Sequence, residues 1–265
     1  MKYILLPFLL VAQLMAAVIE APITAVAKDH ITIAIDQIDR GVSGFVVHHI
    51  TPNHSTILQE VTVSAFDADA KEAQLTLHPF TALRNNSLPR EKRKVAVGDS
   101  VVLAFGYSRA LLLAPSESLY HEISKRVHVT WVHPDLFATM LSFAGHPTPL
   151  YSDFAKFSNS LSAGLLFLYL DQKVFTIDMK SFAILNIADA PFVAKKEQTP
   201  FYTRFKSIDA AWWGEGSSRM QSYGPHYYAL LAKKNKENQE LYTIIKNHKN
   251  KEVQALLELF EGEKK

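Results

Sequence analysis

Between Val18 and Ala114, apolar and polar positions repeat with a period of about two, the spacing of half-buried strands. Ile23 to Ala27 and Ile31 to Ile35 form a strand pair around a turn at Lys28-Asp29-His30. Gly41 and Gly44 frame a turn before a strand from Phe45 to Ile50. Ser55 to Phe66 is β-branched and alternating, with Ile57, Val61 and Val63 on one face. After a turn at Asp67 to Ala70 comes a strand from Ala73 to Phe80. Val97-Gly98-Asp99 turns into Val101 to Phe105, and Arg109 to Ala114 reads as a further strand of the same module. Short strands at regular spacing without a convincing helix predict a small β-barrel or sandwich.

Pro115 marks a change of pattern. Helices are predicted at Glu117–Val127, Pro134–Phe143, Ser152–Leu161 and Tyr223–Lys234. Strands are predicted at Val129–His133, Leu165–Leu170, Val174–Met179 and Phe182–Ile187. Ala163 to Leu170 is a continuous apolar run of strand length, which predicts a strand buried on both faces. Alternating strands and helices predict an α/β layer. From Lys233 onward the chain carries eight Lys and six Glu around a sparse apolar stripe of Leu241, Ile244, Ile245, Val253, Leu256, Leu257 and Phe260. That pattern predicts amphipathic helices with a charged outer face.

The fold class is therefore α+β. A small β-barrel or sandwich-like module precedes an α/β module and charged C-terminal helices. At the start, Lys2 precedes an apolar run from Tyr3 to small residues Ala16 and Ala17, the make-up of an export signal. The alternative is a retained anchor, but the run is shorter than the roughly 20 residues of a spanning helix. No later stretch is long and apolar enough to span a bilayer. The reading divides the chain into a signal peptide over 1–17, a β-rich module over 18–114, an α/β module over 115–232 and a charged helical tail over 233–265. It places the mature protein in the periplasm or at the outer membrane or cell surface.

Composition narrows the chemistry. With 28 Lys+Arg against 26 Asp+Glu, the chain is no polycation built for nucleic acid. Absence of cysteine in the 265 residues excludes disulfides, thiolate-held metals and a cysteine nucleophile. His48, His49 and His54 cluster in sequence, yet neighbouring strand residues point to opposite faces, so His48 and His49 make a poor metal pair. His133 and Asp135 flank Pro134 without a nucleophile-elbow motif, and neither a dinucleotide fingerprint nor a P-loop occurs. The reading is non-enzymatic and calls for no cofactor or metal; a hydrolase or metalloenzyme using His133, Asp135 and the His48–His54 region is the distant rival.

Three binding features stand out. Arg84 and Arg90, Lys92, Arg93 and Lys94 make a basic loop, either solvated or facing an anionic partner. Phe201, Tyr202, Trp212, Trp213, Tyr223, Tyr227 and Tyr228 crowd one stretch; core is the expectation, and an exposed subset would be a recognition patch. Lys264 and Lys265 end the chain. A terminal lysine carries an ammonium and a carboxylate on one residue, the zwitterion that kringle domains hold between acidic and basic groups with aromatic walls.

Ordered motifs add a resemblance. They are Gly44-Phe45-Val46-Val47-His48 with His54-Ser55-Thr56-Ile57, Asn86-Ser87-Leu88-Pro89, and Val97-Gly98-Asp99 leading to Tyr107-Ser108-Arg109-Ala110-Leu111-Leu112-Leu113-Ala114-Pro115. Trp131-Val132-His133-Pro134-Asp135-Leu136-Phe137-Ala138 follows, then Pro147-Thr148-Pro149, Asp153-Phe154, Gly164-Leu165-Leu166-Phe167 and Asp178-Met179-Lys180-Ser181-Phe182. In this order the pieces resemble the plasminogen-binding protein N-terminal domain family of exported proteins from host-associated Gram-negative bacteria. The chain departs from that pattern at Ser108, where the family tends to be acidic, and in the basic rather than proline-rich Arg90–Lys94 loop. The resemblance implies capture of host plasminogen through lysine recognised by kringles, with no catalytic residue. Lys265, aided by Lys264, would supply that lysine. The rival is a periplasmic or outer-membrane assembly protein that holds a bacterial envelope partner.

Overall fold

The computed structural model describes residues 18–82, 93–193 and 197–261. The expected signal peptide, Arg84, Arg90, Lys92, Lys264 and Lys265 lie outside the described residues. Two compact units divide at Tyr107 and Ser108.

The first unit holds β1 (Ile19–Val26), β2 (His30–Ala34), β3 (Ser43–Thr51), β4 (His54–Asp67), β5 (Glu72–Pro79) and β6 (Ser100–Leu103). All neighbours are antiparallel in the order β1-β2-β5-β4-β3-β6, and β6 also bonds back to β1, closing a barrel. The period-two pattern fills its interior. Ile23, Ile31, Ile33, Val46, Val61, Val63, Leu75, Val101 and Leu103 are all buried. Each such aliphatic side chain withdrawn from water contributes about 1.5–3 kcal/mol before entropy is counted. The turn before β6 is tied to the wall. Buried Asp99 accepts from the Ala96 backbone N–H at 2.8 Å and from His48 Nδ1 at 2.8 Å.

The second unit begins with β7 (Arg109–Leu113), α1 (Glu117–Ser124), β8 (Thr130–Val132), α2 (Pro134–Ala144) and α3 (Tyr151–Leu161). β9 (Leu165–Leu170), β10 (Lys173–Asp178) and β11 (Ile184–Asp189) follow, then α4 (Tyr223–Lys234). The sheet order is β11-β10-β9-β7-β8, with β7 parallel to both β8 and β9 and the other pairs antiparallel. Arg109–Leu113, read from sequence with the barrel, is instead the strand that joins the two sides of this sheet. Its physical signature is a continuous apolar run, Ala110 to Leu113 all buried, as in a parallel strand covered on both faces. β9 is buried along its whole length for the same reason.

The charged end does not stand apart as a tail. α5 (Gln239–Lys246), α6 (Lys251–Gln254), a 3₁₀ turn (Ala255–Leu257) and α7 (Glu258–Glu261) bring Leu241, Ile245 and Val253 into the same core as Phe175 and Tyr228. Asn235, just after α4, ties this part to the sheet. Its side chain accepts from the Ile184 N–H at 2.8 Å and donates to the Phe182 carbonyl at 3.0 Å. Among the described residues no helix is long and apolar enough to cross a membrane.

Candidate functional site

The sequence groups its histidines, but the fold separates them. His48 goes to Asp99, His49 Nε2 lies 3.5 Å from Glu20, and His54 Nδ1 lies 2.9 Å from the Thr51 hydroxyl. Among the described residues no group of three or more histidines and carboxylates could hold a metal ion. Arg93 and Lys94 are exposed. Among the described residues the structure thus brings together no histidine cluster.

His133 and Asp135 do meet other functional groups, at the carboxyl ends of β7 and β8, where α1 and α2 begin. Open α/β sheets commonly bind ligands at such ends. His133 caps α2: its Nδ1 accepts from the Asp135 N–H at 3.2 Å. The Asp135 carboxylate in turn accepts from the Thr203 hydroxyl at 2.8 Å, the Arg204 N–H at 3.0 Å and Arg204 Nε at 2.5 Å. Burial works to raise its pKa, but these donors outweigh it and hold the carboxyl below its usual range. Tyr202 donates to Glu117 Oε1 at 3.1 Å and lies 5.6 Å from the Tyr120 ring, while Tyr120 lies 5.5 Å from the His133 ring. Burial, aided by nearby carboxylates, pushes both phenols up, so they remain donors at neutral pH.

A cleft of about 650 Å³ opens beside this latch, lined by Ser116, Glu117, Tyr202, Thr203 and Arg204 among others. The groups around the cleft are largely engaged with one another. Asp135 is filled by three donors, His133 Nδ1 is used by the helix, and the Ser116 hydroxyl accepts from the Leu119 N–H.

The latch predicts a pH dependence. Burial holds the His133 imidazole below its ordinary value of about 6.5; the Asp135 charge opposes and the Arg204 charge adds to the effect. A depressed native value means the unfolded chain takes up this proton at higher pH. The stability is therefore complete above about pH 6.5 and declines as pH falls toward and through the native value. His133→Asn keeps an N-cap acceptor and removes the titration. In urea denaturation at pH 7.5 and 5.5, the second unit of the native protein is expected to lose more stability than that of H133N. Equal losses would rule out His133 as the source.

The aromatic stretch splits in two. Phe201, Tyr202, Tyr223, Tyr227 and Tyr228 are buried, as expected of core. Trp212 is fully exposed and Trp213 is 85% exposed. Phe143 at 89% and Phe205 at 48% add exposed rings, and both line a groove of about 320 Å³ with Ala138, Thr139, Ser142 and Asp209. The loop bearing the tryptophans is seated on the turn after α2. The Ala211 N–H donates to the Gly145 carbonyl at 2.9 Å, and the Asp209 N–H to the Ser142 hydroxyl at 2.9 Å. Gly145 is left-handed at φ 72°, and a Cβ there would lie 2.5 Å from the Ala211 Cβ, so glycine is required on both counts. The clue in the sequence was Trp212-Trp213-Gly214-Glu215-Gly216, two indoles in a glycine-rich stretch with neither helical nor strand period.

Comparison with known proteins agrees with the resemblance. The profile of the family described as plasminogen-binding protein pgbA N-terminal matches residues 18–231. Two proteins from separate strains of Helicobacter pylori, each named plasminogen-binding protein PgbA, are 25% identical over 201 residues, which is 74% of this chain and 43% of theirs. The chain thus spans less than half the length of these relatives. No solved structure matches. Family and relatives carry the name of a binding role rather than a catalytic one, and with the profile covering the barrel, the second sheet and all but the last three residues of α4, the chain belongs to the plasminogen-binding protein pgbA N-terminal family.

Proposed function

We propose that this protein is exported to the cell envelope and binds host plasminogen there through lysines held by kringle modules. The observation that carries this reading is the family match over residues 18–231. Lys264 and Lys265 are the proposed contacts. A lysine ammonium fits an acidic pair, and a carboxylate close by in the chain fits the cationic end of the same pocket. Contact through so few buried groups gives an affinity on the order of micromolar. The basic segment from Arg90 to Lys94 is proposed to meet an anionic partner of its own.

The test is binding of the signal-free chain to immobilised plasminogen, with and without 6-aminohexanoic acid, a lysine analogue. Micromolar binding that the analogue competes away is expected, and Lys264→Ala with Lys265→Ala should weaken it by about tenfold, the effect of 1.4 kcal/mol. No plasminogen binding by any form would end this reading. Analogue-sensitive binding that survives the double substitution would move the lysine contact elsewhere. Cell fractionation with protease shaving tests the export part.

A further inference from the structure

We infer that the loop presenting Trp212 and Trp213 is a second contact for plasminogen, one that does not use lysine; the inference rests on the plasminogen-binding reading above. The tryptophans do nothing evident for the fold. Fully solvated indoles bury no area, and soluble proteins seldom expose contiguous apolar groups without a partner for them. Here Trp212, Trp213, Phe143 and Phe205 are all exposed, and the Ala211–Gly145 bond sets the tryptophan loop beside the end of α2 that carries Phe143.

The display is built. Besides the seat on Ser142 and Gly145, the far side of the loop is held by the Thr148 N–H to the Gly216 carbonyl at 3.1 Å and by the Thr148 hydroxyl to the Ser218 carbonyl at 2.6 Å. Within the loop, the Ser217 hydroxyl donates to the Gly214 carbonyl at 2.6 Å. Both ends are thus fastened to the segment between α2 and α3, which restricts the loop before any partner arrives. Pre-ordering lowers the entropy cost of association, and tryptophan is among the residues that most often dominate binding energy.

The rim points to the kind of partner. Along the loop, Lys206 and Arg219 are exposed, as are Asp209 and Glu215, so its charges balance. An anionic bilayer would gain little from a neutral rim, with Glu215 two residues from Trp213. An apolar centre inside a rim of mixed charge is the make-up of a protein interface. Plasminogen is the occupant chosen because the matched region, 18–231, contains this loop and stops before Lys264. The complementary site would be an apolar pocket that accepts an indole, rimmed by both signs of charge.

The experiment measures plasminogen binding with saturating 6-aminohexanoic acid. The native chain should retain a measurable component, K264A/K265A should retain it too, and W212A/W213A should lower it about tenfold or more. Phe143→Ala, at the end of α2 beside the loop, should lower it by a smaller factor. Thermal midpoints of these variants should stay close to the native value, since the replaced side chains are exposed. Complete loss of binding with the analogue, or residual binding that ignores W212A/W213A, overturns the inference while leaving the lysine reading intact. No binding even without analogue overturns both. Tryptophan-dependent binding to phosphatidylglycerol vesicles, or tryptophan-dependent self-association in sedimentation, with no plasminogen component, would assign the loop to a membrane or to a second copy and overturn it as well.

Discussion

Gly44→Ala should prevent the barrel from closing properly. Gly44 lies on β3 opposite Leu103 of β6, at the seam where the sixth strand completes the wall. A Cβ there would sit 2.2 Å from the Val102 carbonyl oxygen and 2.9 Å from the Leu103 Cα. These are backbone atoms of a strand bonded on both sides, so no side chain can rotate away to make room. Either β6 moves off and its ladder bonds to β3 lengthen, or β3 bends and exposes its buried face. Glycine inside a strand marks such a close approach. The expected cost is about 3 kcal/mol, the upper range for forcing an extra methyl into a closed-packed site. Chemical denaturation should show an early transition for the first unit. Hydrogen exchange should rise first at Val101, Val102 and Leu103. A midpoint within error of the native value would show that the seam has slack.

Phe137→Ala should be the most damaging single truncation in the second unit. Phe137 is fully buried on α2, its ring 4.9 Å from Phe154, 5.1 Å from Phe157 and 5.6 Å from Phe201. One side chain thereby joins α2, α3 and the segment leading to Tyr202. Its removal loses ring burial, three aromatic contacts and the filling of a space its neighbours cannot collapse into. The cost is about 4 kcal/mol. Phe137→Leu keeps most of the volume and should cost under about 1.5 kcal/mol. Urea midpoints of the two variants separate these outcomes; a loss below about 1 kcal/mol for Phe137→Ala would mean that the cluster repacks. Because Asp135 lies two residues before Phe137 on the same helix, loosening there should also free Arg204.

Much of this was readable from spacing. Alternation located β1 to β6 because a barrel wall needs one face inside, and the unbroken apolar run of β9 gave away a strand covered twice. Tyr223–Lys234 was legible as a helix over its whole length, because its apolar residues recur with a helical period. Arg109–Leu113 was placed with the wrong neighbours, since pairing is non-local and a short run of leucines does not name its partner. The Asp135 latch depends on Thr203 and Arg204, 68 and 69 residues away, and no spacing rule connects them.

By itself, then, the sequence determined which segments would be strands and helices, which faces would be buried and which family the chain resembles. Those are consequences of local periods and of ordered motifs, both carried by residues near one another in the chain. Tertiary structure alone decided that β7 joins the second sheet, that the charged end packs Leu241, Ile245 and Val253 into a core, and that Tyr227 is buried while Trp212 is not. Both are large aromatics from one stretch of the chain. What separates them is whether a distant segment arrives to cover the ring, and that is a property of the assembled fold.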